Sequence, residues 1–329
     1  STLPPELSVV HFVNTGSEAV ELAIRMIKTV TGSNQILASQ YGYHGNTNSC
    51  IDISSYKFDG KGGGGKPEDT FIFPIPDSFR GKYRGKNTTP KYVIEIKKQI
   101  ELIHSQNKRL GGIIIEPIIS CGGQIELPEG FLAKVFDEVR GSGGLCVVDE
   151  VQTGFARTGE WFAWQHHFDS KGDVRPDVVT MAKALGNGVP IGAIWAKREV
   201  AQAFQPGDHA TTYGGQPLAT SAARAVLRIM EAIDAPSLAR EAGDQLMGKL
   251  LQVPNVTDTR GLGLLIAAEI DTEQVGMTGP EIALACLKAG LVVNGISPTA
   301  IRLAPPLTVS TDEIDEAMEK LSVVLEGDS

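Results

Sequence analysis

Cysteine is scarce in this 329-residue chain, and its four copies (Cys50, Cys121, Cys146 and Cys286) lie scattered, without CxxC or paired spacing. That excludes a disulfide framework and fits reduced thiols in a cytoplasmic protein. Long hydrophobic runs are missing too: no uncharged apolar stretch approaches the roughly 20 residues that span a bilayer, so no membrane partner is expected. Positive charge is in deficit. The formal charge of −9 argues against nucleic acid or an anionic membrane surface as the main partner. The opening residues STLPPELS show neither a basic n-region nor an apolar h-region, so no signal peptide is expected. The six histidines have no helical HxxxH or Cys/His spacing, and no metal site is expected.

One tempting motif also lacks its essential part. GKGGGGKP, residues 60 to 67, satisfies the glycine-and-lysine half of a nucleotide-binding P-loop. Pro67 stands where the Ser or Thr magnesium ligand must be, and no apolar strand leads into the loop. An ATPase is excluded, and the segment reads as a mobile glycine loop.

What the sequence does have is alternation. SVVHFVN, QILAS, GGIIIEPI, LCVVDE, DVVTMAK and IGAIWAK are apolar strand candidates rich in Val and Ile. Between them run helical periods: Val20, Ala23, Ile24 and Ile27, then Val93, Ile96, Ile100 and Ile103, then GFLAKVFDEVRGSGG. Strands buried on both faces and separated by helices predict an α/β unit with a mostly parallel sheet, placed at residues 1–225. After a helix near residues 216 to 233 the pattern changes. NVTDTRGLGLLIAAEI, LVVNGI and AIRLAPP read as strands, with helices in GPEIALACLKAG and TDEIDEAMEKLSVVLEG, a smaller α+β unit at residues 226–329.

Three places carry chemistry. In VTMAKALGNGVPIGA, Lys183 sits in an apolar strand-and-turn context, where an unpaired buried ammonium would cost several kcal/mol. In CVVDEVQTG, Asp149 directly follows an apolar strand, at the carboxyl end where open α/β sheets bind ligands, and Gln152 lies three residues on. In NTGSEA a strand ends, a small-residue turn follows and a helix begins, which offers free N–H groups to a phosphate. The bland alternative there is a plain N-cap by Asn14 or Ser17. A lysine, an aspartate and a phosphate cradle together suit pyridoxal 5′-phosphate. The lysine would be held as a Schiff base, and the aspartate would keep the pyridine nitrogen protonated so that the ring serves as an electron sink.

At these residues the sequence resembles the class III aminotransferases of fold type I, over essentially its whole length. DEVQTGFARTGEWFAWQHH followed by PDVVTMAKALGNGVPIGA is the ordered signature. The resemblance implies a three-layer large domain, a small C-terminal domain and pyridoxal 5′-phosphate as cofactor. Lys183 matches the Schiff-base lysine and, once freed, carries the proton from the substrate carbon. Asp149 matches the pyridine-nitrogen partner and Gln152 the contact to the phenolic oxygen. Gly16 and Ser17 match the phosphate turn, and Tyr43 in YHG the stacking aromatic. His44 and Glu116 join the cofactor-binding set. Thr212, in TTYGGQP, matches the threonine that reaches the neighbouring subunit's cofactor phosphate, which implies a homodimer with shared sites. Arg302, in IRLAPPL, matches the arginine that grips a substrate carboxylate; the bland reading is a surface arginine on a strand.

Within the family the signals are mixed. ISSYKFDGKGGGG, PDSFRG and SCGGQI resemble the ethanolamine-phosphate phospho-lyase and alanine–glyoxylate branch. QPGDHATTYGGQPLATSAARAVL, TRGLGLL and VVNGISPTAIRLAPPL resemble acetylornithine aminotransferases. Ornithine-type members carry a glutamate in EPIQGE that masks the arginine, whereas EPIISC puts Cys121 at that place. Members normally have an N-terminal segment lining the pocket that the sequence does not show, so a more open pocket is expected. The expected activity is transamination between an amino acid or amine and a keto acid or aldehyde. A phospho-lyase acting on an amino-alcohol phosphate is the alternative, and a non-catalytic chain of the same fold a second one.

Overall fold

A computed structural model describes residues 3–168 and 174–327. The strands, in chain order, are β1 (Val9–Val13), β2 (Gln35–Ser39), β3 (Thr70–Phe73), β4 (Leu110–Ile115), β5 (Ile118–Ile119), β6 (Ile125–Glu126), β7 (Leu145–Asp149), β8 (Val178–Met181) and β9 (Gly192–Ala196). Past these come β10 (Val256–Leu262), β11 (Leu265–Ile270), β12 (Asn294–Ser297) and β13 (Ala300–Leu303). Among the described residues seven strands form one sheet in the order β1-β9-β8-β7-β4-β2-β3. Pairings from β3 through β2, β4 and β7 to β8 are parallel, and β9 alone runs the other way, antiparallel to both β8 and β1.

Alternation along each strand feeds two apolar cores. Ile114, Val147, Val178 and Ile194 point to the face covered by the helix Gly16–Thr31, which buries Val20, Ala23, Ile24 and Ile27. Ile113, Ile115, Cys146, Val148 and Val179 point to the other face, against Ile96, Ile100 and Ile103 of the helix Thr89–Ser105 and Phe136 of the helix Phe131–Gly141. The result is helix, sheet and helix, the three layers that a parallel sheet apolar on both faces requires.

The helix Pro217–Ala232 buries Ala219, Ala223 and Met230 against the larger core. A third core then begins, in which Leu246 and Leu250 of the helix Ala235–Leu250 meet Ile266, Ala268, Ile301 and Leu303 of a four-stranded antiparallel sheet ordered β10-β11-β13-β12. NVTDTRGLGLLIAAEI, read as one strand, is a hairpin. Gly263 turns it at φ +54°, and a Cβ there would sit 2.6 Å from the carbonyl carbon of Thr158. LVVNGI becomes strand only from Asn294. Among the described residues no helix is long and apolar enough to cross a membrane.

Candidate active site

The carboxyl ends of β1, β2, β4, β7 and β8 open on one side of the sheet, where a cavity of about 430 Å³ lies. Each of these ends delivers a piece of its lining: Asn14 to Ser17 after β1, Tyr43 and His44 after β2, Glu116 after β4, Asp149 and Gln152 after β7, and Lys183 after β8. The volume lies in the usual range for a cofactor site.

Asp149 forms the floor and is buried. Its Oδ2 lies 2.8 Å from His44 Nδ1, while its Oδ1 accepts from Thr180 Oγ1 at 3.0 Å and from the Val151 amide at 3.1 Å. A carboxylate offers about four lone-pair positions, so one remains for a donor in the cavity. Burial pushes the His44 imidazole down, but the hydrogen bond to Asp149 and the charges of Asp149 and Glu116 outweigh it, and its pKa is raised. Glu116 is buried as well. Burial lifts its carboxyl to about 7, with Asp149 adding to the rise and His44 and the Tyr43 and Ser120 amides opposing it.

Lys183 differs from the sequence expectation in one respect. Met181, Ala182 and Leu185 beside it are buried, but the lysine itself is exposed, because its side chain enters the open cavity instead of the core. Its amine donates to Gln152 Oε1. The surrounding walls desolvate it and lower its pKa, against the pull of Asp149 and Glu116, with Arg302 lowering it further. A lysine less basic than usual is the better nucleophile near neutrality. Its backbone stands at φ +44°, a left-handed conformation rare for a side-chain-bearing residue. That turn follows β8 and sends the side chain into the cavity.

The helix cap also differs. Thr15 is the N-cap of Gly16–Thr31, accepting from the Glu18 amide at 3.1 Å, and neither Asn14 nor Ser17 plays that part. Asn14 instead donates to Glu18 and to Thr211. Ser17 Oγ accepts from the Asn46 amide at 3.0 Å. Gly16 and Ser17 line the cavity in the first helical turn, where amides have no intrahelical acceptor.

Two residues singled out from the sequence lie outside this lining. Thr212 is exposed. Arg302 sits half-buried on β13, with no ion pair or hydrogen bond from its guanidinium among the described residues. It is nonetheless within electrostatic reach of both Lys183 and Cys121. Cys121 lines the cavity; burial lifts its thiol to about 11, so it stays protonated and puts no negative charge beside Arg302. Thr180, Val151 and Ser120 were missed from the sequence. Thr180 had a signal, a hydroxyl inside an apolar strand, and it pairs with Asp149 in the parallel register of β7 and β8. The glycine segment 60–66 is largely exposed and takes no part in the cavity.

The donor set fits one cofactor. A free amine, a buried carboxylate with a lone pair to spare, and a helix N-terminus around one cavity match the aldehyde, ring nitrogen and phosphate of pyridoxal 5′-phosphate. Sheet order and site together define the fold type I class of enzymes that use this cofactor. Residues 2–325 match the family described as Aminotransferase class-III. An acetylornithine aminotransferase from Methanothermobacter thermautotrophicus is 35% identical over 320 residues, covering 96% of this chain and 74% of its own. A solved amine transaminase from an uncultivated Pseudomonas species, in its PLP-bound form, has a TM-score of 0.86 and 28% identity, covering 98% of this chain and 78% of its own. A solved phospholyase from Arthrobacter, in complex with phosphoethanolamine, has a TM-score of 0.87 and 27% identity, covering 100% and 79%. The chain belongs to the class III aminotransferases, and it is a pyridoxal-phosphate-dependent enzyme.

Proposed function

We propose that the cavity performs transamination with Lys183 as its reactive amine, and that the substrate's carboxylate is held by Arg302. The observation that carries this is the pairing of Lys183 with Gln152 in the cavity whose floor is Asp149. Pyridoxal 5′-phosphate supplies an aldehyde that exchanges amines and a ring that takes up an electron pair. Gly16 and Ser17 would hold its phosphate, Tyr43 and His44 its ring side, and Asp149 its ring nitrogen, with Gln152 at the phenolic oxygen. Thr180, Val151 and His44 hold the Asp149 carboxylate in place. Glu116 fixes the backbone of Tyr43 and Ser120 and so steadies two walls at once. Lys183, less basic than a free lysine, would take the proton from the substrate carbon bearing the amine and hand it to the cofactor's C4′ carbon in the same half-reaction, with the transfer reversed in the second half.

Arg302 is a free guanidinium beside a cavity, and a bidentate contact to a carboxylate would satisfy it. Small amino acids, amines and keto acids are therefore the proposed substrates. Thr212 serves a second copy in this reading: it is exposed, and its neighbours Tyr213 and Leu218 are each 72% exposed, as expected of a surface that a partner covers. We infer a homodimer with shared sites, located in the cytoplasm, with two units divided near residue 225. The four cysteines are free, which agrees with that location.

Borohydride treatment of the protein with its cofactor should fix the chromophore on the peptide that contains Lys183. Labelling of another lysine would overturn the assignment. The likeness to the phosphoethanolamine-bound phospholyase favours a second reading, expulsion of phosphate from an amino-alcohol phosphate. Phosphate release without a transamination product would decide for it.

A further inference from the structure

Arg302 does not act from its own strand alone. In the small sheet β11 lies between β10 and β13, with Arg260 opposite Ala267 and Ala267 opposite Arg302. Directly opposed residues share a face, so the two arginines stand in one row, about 10 Å apart, with only a methyl group between them. Glu269, two residues from Ala267, is on that face too. The opposite face, with Ile266, Ala268 and Ile301, is packed in the third core.

Arg260 ties this face to the cavity wall. Its Nε donates to the carbonyl of Gly123 at 2.7 Å, and its Nη1 to Glu269 Oε2 at 2.9 Å. Arg80, from the large unit, donates to the other oxygen of Glu269, as does Thr299. The next amide, Gly261, donates to Glu126 Oε1 at 2.9 Å. Gly123 and Glu126 belong to the β5–β6 hairpin, whose turn also carries Ser120 and Cys121 into the cavity. Gly123 stands at φ +117°, a backbone conformation that favours glycine and that turns its carbonyl to Arg260. At the foot of the same hairpin Glu116 accepts from the Ser120 amide. Contacts thus run from Glu116 through the hairpin to Arg260, which shares its row on the small sheet with Arg302.

We propose that Arg260 is a positioning residue for substrate selection. Held by Gly123 and Glu269, it fixes the small sheet against the hairpin and so sets where Arg302 stands relative to Lys183. The pocket then favours donors and acceptors that carry a carboxylate. This rests on the reading of Arg302 as the carboxylate grip.

The test is a double-mutant cycle on the holoenzyme, comparing alanine with a primary amine that lacks a carboxylate. Arg260→Gln should raise KM for alanine about tenfold, change kcat by less than about twofold and leave the amine's KM nearly unchanged. The dissociation constant of propionate, a carboxylate that does not react, should rise in step. Arg260→Lys should recover part of the loss. In an Arg302→Ala background Arg260→Gln should add nothing, because both changes remove one contact. Should Arg260→Gln fail to fold, Glu269→Gln, which keeps the shape of the site, should give the same pattern. Additive losses, or equal losses for alanine and the amine, would overturn the proposal and leave a structural ion pair. Arg302→Ala that fails to separate the two substrates would overturn the reading of Arg302 first, and the proposal with it.

Discussion

The rim of the seven-stranded sheet lines the cavity, the face of the four-stranded sheet carries Arg302 outside that lining, and the two are built by different physics. On the rim, each contribution is local: the last residue of a parallel strand, or one a few positions later, enters the cavity, as Asp149, Glu116 and Lys183 do. On the small sheet the contribution is made by register. Arg260 and Arg302 are 42 residues apart and share a row only because β11 pairs with both of their strands. The rim's carboxylates Glu116 and Asp149 are buried and hydrogen-bonded within the site, whereas Arg302 is half-buried and has no partner among the described residues. Chemistry is assigned to the first region and selection to the second.

That division can be broken by substitution. The largest effect should come from the rim. Asp149→Asn keeps the shape but removes the charge that Thr180, Val151 and His44 hold in place, and kcat should fall on the order of 10³-fold. Steady-state kinetics on every substrate should show it alike; near-normal turnover would mean another carboxylate does the work.

On the small sheet the effect should be smaller and selective. Removing a charge-assisted bidentate contact costs about 1.5–3 kcal/mol. Arg302→Ala should therefore lower kcat/KM for alanine or pyruvate roughly ten- to a hundredfold. A simple amine should be little affected, and equal losses for both would make the arginine structural.

The smallest effect should appear in stability, and again on the rim. Glu116 has its carboxyl raised to about 7, whereas an unfolded glutamate titrates near 4.3. Between those values the folded protein binds a proton that the unfolded chain has released. Stability from this group is thus full below about pH 4.3 and lost as pH rises through about 7. Glu150, buried against Thr153 and the Trp164 amide and likewise lifted to about 7, acts in the same direction. Glu116→Gln should flatten the fall between pH 5 and 7.5 by a few kcal/mol at most, measured by urea unfolding. An unchanged slope would place the titration elsewhere.

Much of the rim was legible because its signals are short-range. Val and Ile runs marked β1, β2, β4, β7, β8 and β9, and Asp149 and Lys183 stood out as polar residues at apolar strand ends. The misses have physical causes. The strand TFIF is four residues long and, unlike the equally short VVTM, has no run of Val or Ile to mark it. The helix Ala235–Leu250 buries Ala235, Ala239 and Gly243 before Leu246 and Leu250, and small residues make a weak apolar period. The cap at Thr15 was misread because Asn, Thr and Ser all suit that role and only backbone geometry separates them.

By itself the sequence marked most of the elements and the polar residues at their ends. Periods of 2 and 3.6 depend on near neighbours, and so does a carboxylate or an amine placed just past an apolar strand. Strand order was decided only by the tertiary structure, because crossovers bring together ends that lie as far apart in the chain as Asn14 and Lys183. Lys183 proved to reach into an open cavity instead of the core, since burial is a property of what surrounds a residue and not of its neighbours in sequence. The row from Arg260 to Arg302 has the same origin. Register is set by packing one face of a sheet against a core, and no local pattern states which strands will pair.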